Sequence, residues 1–289
     1  MANETTASSA DAALQEIWIS EALRQLLAKR KVSKEGVVTV KMVSGKKKGD
    51  NVDFTELSGI GTTATNTDGT VTNQVLTHTQ RQVALTNWRE STITIVDRAD
   101  VQSVLDYDTE VPLVEAAALG QYMDDTILDD HASLTGVSAQ VGNAAAPGAF
   151  NSDMALEADT GLQDQNVEAE DGQIHWILSN RAYAQLFKNE VLQSASDSGD
   201  DKSAVVTGQL RKLLGYDIIR TSRVVSTGTP SVHKNMLLHE KCIAMGISRD
   251  LQVDKFRLAK NTQYSTDVIF GEGVIRAVLG VTINTSTVA

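Results

Sequence analysis

Two acidic pairs, Asp124-Asp125 and Asp129-Asp130, are separated by three residues, and His131 follows directly. Carboxylates and an imidazole at this density are the ligand types that hold Mg²⁺ or Mn²⁺ and activate a water molecule for hydrolysis. The spacing works against that chemistry. Adjacent residues diverge by about 100° around a helix, so only some of the cluster, such as Asp125 with Asp129 at i,i+4, can share a face. The competing reading is an acidic helix surface turned to solvent or to another copy of the chain. Such surfaces are commonplace, and this reading is preferred; a metal-dependent hydrolase using Asp124 to His131 stays as the distant alternative.

Other reactive-looking groups are weaker still. His239-Glu240-Lys241-Cys242 puts a thiol near a base in sequence, but strand side chains alternate in direction and catalytic pairs meet in space, not by adjacency. Cys242 reads as a buried structural residue. Lys46-Lys47-Lys48 has no glycine at the position a phosphate loop requires, so it reads as surface charge. Gly59-Ile-Gly61 and Gly271-Glu-Gly273 lack the third glycine and following helix of a dinucleotide site and are read as turns. Trp18, Trp88 and Trp176 occur singly, as core or subunit-contact anchors do, and not as a stacking platform for bases. No cofactor, metal or catalytic residue is assigned.

The elements that position these residues belong to a chain of 289 residues, 41% hydrophobic and 22% charged, as in a globular protein with a sizeable core. One cysteine excludes an intrachain disulfide and is consistent with folding in a reducing cytoplasm. No apolar run has the length of a membrane span, and the start lacks the basic and apolar regions of a signal peptide, so neither insertion nor secretion by that route is expected. The net charge of −11 is segregated. Between Asp97 and Gly172 there are 17 acids and one base, Arg98; from Gln173 onward bases outnumber acids 14 to 10. This pattern repels nucleic acid from the middle of the chain. It also lets basic segments of one copy meet acidic segments of the next, the alternative being a solvated acidic face.

Apolar periodicity predicts an amphipathic helix from Leu14, carrying Ile17, Trp18, Leu23 and Leu26, and a strand over Val37 to Val43. A strand is predicted at Thr92 to Val96, and the longest helix at Glu110 to Leu134, with Pro112 in its first turn and Gly120 at a small cost. A helix at Met154 to Gln165, a buried strand at Ile174 to Leu178 and a helix N-capped by Ser179 follow. Gly208 to Gly215 is predicted as a short helix leading into a strand at Tyr216 to Arg220. Further strands are expected at Asn235 to His239, Ala244 to Ile247, Gln252 to Leu258 and Gly273 to Ile283.

The stretch from Ser44 to Asn87 is the least able to fold alone. It is crowded with threonine, its Val52, Phe54, Val71, Val75, Val83 and Leu85 favour extended strands, and Gly59, Gly61 and Asp68-Gly69 supply turns. It reads as a protruding β-arm. A two-stranded hairpin is marginal in water, so a second surface must cover it, and another copy of the chain is the expected one.

The order of these blocks resembles the major capsid proteins of tailed phages, which share the Hong Kong 97 fold. The resemblance is carried by Glu16-Ile-Trp18 with Glu21-Ala-Leu, by Gly49-Asp50-Asn-Val52 opening the Thr/Gly-rich arm, and by Thr94-Ile-Val-Asp97-Arg-Ala-Asp100. Leu178-Ser-Asn-Arg-Ala-Tyr183 and Gly208-Gln-Leu-Arg-Lys-Leu-Leu-Gly215 extend it. It implies an α+β chain with an N-terminal arm and helix (1–43), an extended β-arm (44–87), a peripheral domain with a spine helix (88–150 with 256–289) and a mixed α/β axial domain (151–255). It further implies self-assembly as hexamers and pentamers into an icosahedral shell that encloses double-stranded DNA without sequence-specific binding or a membrane. The shell would be assembled in a bacterial cytoplasm and end in the virion. A separate scaffolding protein, a portal and a decoration protein are the other implied partners. An encapsulin-like nanocompartment is the alternative on the same fold. Residues expected at contacts between copies are Trp18, Lys46, Lys47, Lys48, Phe54, Trp88, Arg89, Asp125 and Asp129.

Overall fold

A computed structural model describes residues 21–24, 26, 29–57, 78–96, 107–137, 141–142, 148–165, 173–186, 188, 210–229, 231–258 and 261–286. Most of the predicted first helix, with Trp18, and the 58–77 part of the arm, with Gly59, Gly61, Asp68-Gly69, Val71 and Val75, lie outside these residues.

Three sheets, three helices and the helical residues 21–24, 26 and 29 of the N-terminal segment make up the regular structure of the described residues. Strands β1 (Thr39–Met42), β4 (Asn87–Val96), β10 (Ile243–Leu258) and β11 (Asn261–Val274) form one sheet in the order β1-β10-β11-β4, parallel only at β1. A second sheet runs β12 (Gly280–Ser286), β9 (Val232–His239), β5 (Ile174–Ser179), β7 (Tyr216–Thr221) and β6 (Lys212–Leu213), with β8 (Ser226–Thr227) also on β9. A two-stranded ribbon pairs β2 (Asn51–Leu57) with β3 (His78–Ala84). Helix α1 (Tyr107–Asp129) continues into a 3₁₀ turn, Asp130–Ser133. Helices α2 (Ser152–Gln163) and α3 (Asn180–Leu186) belong to the second sheet.

Both caps follow the residue chemistry. Asn151 Oδ1 accepts from the Met154 N–H at 2.9 Å at the start of α2, and Ser179 Oγ accepts from the Ala182 N–H at 3.1 Å at the start of α3. Gly120 in α1 answers to packing. A Cβ there would sit 2.9 Å from the Leu26 carbonyl oxygen, so glycine lets the N-terminal segment cross the helix at backbone distance. One hydrophobic core runs through both large sheets, with Trp176, Phe270, Met123 and Ile127 fully enclosed.

Several elements differ from their sequence prediction. Gly208 to Gly215 contains no helix among its described residues. Leu213 pairs with Tyr216 across Leu214 (φ 53°) and Gly215 (φ 86°), the two left-handed residues of a tight hairpin turn. The indole N–H of Trp176 donates to the Leu213 carbonyl at 2.9 Å and holds the hairpin in place. The strands at Ala244 to Ile247 and Gln252 to Leu258 are one strand, β10, irregular near Arg249. Gly271 and Gly273 lie inside β11, whose buried Tyr264, Thr266, Val268 and Phe270 alternate with a period of two, so they are not turns. The strand expected over Gly273 to Ile283 is broken by a 3₁₀ turn at Ala277–Leu279. β10 runs unbroken through residues 255 and 256, and β12 is hydrogen-bonded to β9 in the second sheet.

Candidate assembly surfaces

The acidic cluster on α1 is dispersed by its surroundings. Asp124 is buried and accepts from the backbone N–H groups of Lys31, Val32 and Ser33 at 2.8, 3.1 and 2.8 Å and from the Ser33 hydroxyl at 2.7 Å. It locks the N-terminal segment to α1. Asp125 forms a bidentate ion pair with Arg223, which also donates to Gln121 Oε1 at 3.1 Å. Asp129 is exposed. Burial, helped by Asp129, pushes Asp130 up to about 6. His131 turns its Nδ1 to the Leu128 carbonyl at 3.2 Å. Among the described residues no three ligating side chains converge, so the hydrolase alternative has no site. Cys242 is buried, and burial followed by the nearby Asp130 pushes its thiol up to about 12, far from a nucleophile's range.

The arm root has a built seat. Val52, Leu85 and Ile269 form a small buried cluster, with Phe54 and Val43 against it. Beneath lie two glycines paired across β10 and β11, Gly246 and Gly271. A Cβ on Gly271 would fall 2.0 Å from the Ala84 carbonyl oxygen, and one on Gly246 would fall 2.8 Å from Val52 Cγ2. The ribbon therefore rests on backbone. Sequence reasoning read Gly271 as a turn and missed this; the available signal was a glycine inside an alternating strand pattern, which marks close backbone approach. Away from the seat the ribbon is open: of the β3 side chains only Val83 is buried.

The remaining predicted contact residues are divided. Lys46 donates to the Asn51 carbonyl within its own loop, while Lys47 and Lys48 are exposed. Phe54 is half-buried, with the Lys41 ammonium 5.7 Å from its ring centroid. Trp88 and Arg89, adjacent on β4, face opposite ways. Trp88 is 53% exposed and donates its indole N–H to Asp267 at 3.0 Å, where Arg249 also pairs. Arg89 lies against α1, its guanidinium 4.4 Å from the Tyr122 ring centroid and bonded to the Tyr122 hydroxyl.

No family model and no curated protein sequence matches the chain. Solved structures do. A structure from Mycobacterium phage Che8 is 18% identical, with a TM-score of 0.62 over 82% of this chain and 85% of that one. The capsid structure of the cyanophage P-SCSP1u is 16% identical, with a TM-score of 0.66 over 89% of each chain. The virus-like particle from Pyrococcus furiosus is 14% identical, with a TM-score of 0.53 over 93% of this chain and 98% of that one. The chain therefore shares its overall fold with phage capsid structures: it has the Hong Kong 97-type fold.

Proposed function

We propose that this chain is the major capsid protein of a tailed phage, building an icosahedral head shell around double-stranded DNA. The observation that carries the reading is the seated ribbon: a hairpin anchored on Gly246 and Gly271 at one end and open along the rest of its described length. Such a ribbon is marginal in water and gains burial on a neighbouring copy. Residues 44–87 are then the extended arm, α1 with β1, β4, β10 and β11 the peripheral part, and the sheet around β5 the axial part. Hexamers and pentamers of the chain are the units of the shell. A scaffolding protein, a portal and a decoration protein complete the particle, which is assembled in the host cytoplasm. The role is structural, without catalysis or cofactor; Lys47, Lys48, Phe54, Trp88 and Asp129 supply contact surface, while Lys46, Arg89 and Asp125 hold the elements around it through Asn51, Tyr122 and Arg223. Likeness to the Pyrococcus furiosus particle supports a second reading, a nanocompartment shell on the same fold.

Negative-stain microscopy of the expressed protein, with and without a co-expressed scaffold, tests the proposal. Rings, sheets or closed shells are expected. Monomers under both conditions would refute it. Deleting Gly59 to Val71 is expected to leave a folded subunit that no longer closes particles. Terminase and portal genes beside its own are expected for a capsid and not for a nanocompartment.

A further inference from the structure

Between the arm root, β1 and the turn after β9 lies an open cleft of about 610 Å³. Four basic side chains line it, Lys41, Arg81, Lys241 and Arg276, against one acid, Glu240; Phe54 supplies an apolar wall. Lys41, Arg81 and Lys241 are exposed. A concave surface with this charge balance in a chain of net charge −11 selects for an anionic partner.

The chain carries a surface of the opposite character on α2. Ala155, Ala158 and Leu162 bury the inner side of that helix. Its outer side presents Asp153, Leu156, Glu157, Thr160 and Asp164, all exposed, which fall within an arc of about 100° at helical periodicity. Leu156 is 50% exposed at one edge of this arc. Neither Asp153 nor Glu157 forms an ion pair among the described residues. The other acid-rich helix differs. On α1, Asp124 and Asp125 are engaged by Lys31 to Ser33 and by Arg223.

We propose that the basic cleft at the arm root of one copy receives the outer face of α2 of a second copy, with Asp153 and Glu157 meeting Arg81 and Lys241 and Leu156 meeting Phe54. The inference rests on the shell reading and adds a specific contact to it. The cleft has room for a few side chains and not for a helix, so the helix lies across its mouth. Two different patches of one chain form a heterologous contact, the kind that repeats around a ring until it closes.

Reciprocal charge reversal tests this. Arg81→Glu with Lys241→Glu, and separately Asp153→Lys with Glu157→Lys, are each expected to lower particle yield roughly tenfold or more, and the four together to restore it to within about threefold of the parent. Circular dichroism melting of each soluble subunit confirms folding. Independently of assembly, a carbodiimide crosslink joining Lys241 to Glu157 or Asp153 is expected in peptides that mix ¹⁴N and ¹⁵N chains. Parent-level yield from either double variant overturns the contact while leaving the shell reading intact. Loss in the basic double alone overturns α2 as the occupant and gives the cleft to another polyanion, such as packaged nucleic acid. Absence of particles from the parent chain, before any substitution, is the separate failure of the shell reading, and the contact falls with it.

Discussion

The β12-β9-β5-β7-β6 sheet and the β2–β3 ribbon use similar residues and reach opposite ends of the burial scale. All seven residues of β12 and five of the six in β5 are buried, whereas in β3 only Val83 is. Threonine and valine occur in both. What differs is the layer behind them. The sheet carries α2 on β12 and α3 on β5 and β7, and its core closes around Trp176 and Phe150, whose rings meet edge to face at 6.1 Å. The ribbon has a second layer only at its root, where Gly246 and Gly271 bring it onto β10 and β11. β-propensity therefore selects extended backbone, and the availability of a packing layer decides whether that backbone completes a core or waits for a partner.

The sharpest way to separate the two regions is to cut into the self-sufficient one. Trp176→Ala removes a fully buried indole and its bond to the Leu213 carbonyl. A loss of about 3–5 kcal/mol is expected in denaturant unfolding of the subunit. A loss below about 1 kcal/mol would mean that this sheet does not hold the subunit together. At the ribbon the comparison is between neighbouring glycines. Gly271→Ala forces a Cβ to within 2.0 Å of the Ala84 carbonyl oxygen, whereas Gly273→Ala meets nothing nearer than 3.7 Å. About 1–3 kcal/mol is expected for the first and under about 0.5 kcal/mol for the second. Equal effects would show that the arm root does not rest on Gly271.

What the sequence discloses follows the same division. The α1 span, the α3 start and β5 are legible because local signals agree there: helical spacing, Ser179 as a cap, and an unbroken apolar run. β11 was not legible, since its two glycines imitate a turn and the reason for Gly271 lies in Ala84, far away in sequence. Nor was the hairpin at Leu214-Gly215, where Leu-Arg-Lys-Leu-Leu matches a helix until Trp176 claims the Leu213 carbonyl. The contact residues were legible in type and not in direction. Trp88 and Arg89 are adjacent, yet only the pairing of β4 with β11 tells that one faces outward and the other faces Tyr122. Asp124 looked like part of a metal cluster, because nothing local announces that Lys31 to Ser33 return to it.

Beneath the platform on which the ribbon sits, Glu115 of α1 is buried, accepts a hydrogen bond from the Thr266 hydroxyl and leaves Oε1 without a partner. Burial is the main cause that raises its carboxyl from the ordinary 4.5 to about 7, with the charge of Glu90 on β4 adding to it. The folded state therefore binds this proton more tightly than the unfolded chain does. The resulting stability is fully present below pH 4.5 and is lost as pH rises through about 7. Glu115→Gln should remove that part of the pH dependence and raise stability above pH 7 by on the order of 1 kcal/mol, read from melting between pH 5 and pH 8. A variant with the parent's slope would show that the sheet under the ribbon pays nothing for this carboxylate.

The smallest effect on the isolated subunit is expected at Trp88, and its smallness is the point of the test. The indole is half out of the structure, and its bond to Asp267 shares that carboxylate with Arg249, an exposed pair. Trp88→Ala should change subunit stability by less than about 1 kcal/mol, because neither an exposed hydrogen bond nor partial burial contributes more. If the ring is an anchor for a neighbouring copy, the same substitution should raise the concentration needed for assembly at least tenfold, since aromatic side chains at the centre of an interface are each worth roughly 2 kcal/mol or more. Sedimentation of the variant across a concentration series, beside its melting curve, measures both. A stability loss comparable to that of Trp176→Ala would place Trp88 among the residues that complete the subunit, and an unchanged assembly threshold would remove it from the contact surface.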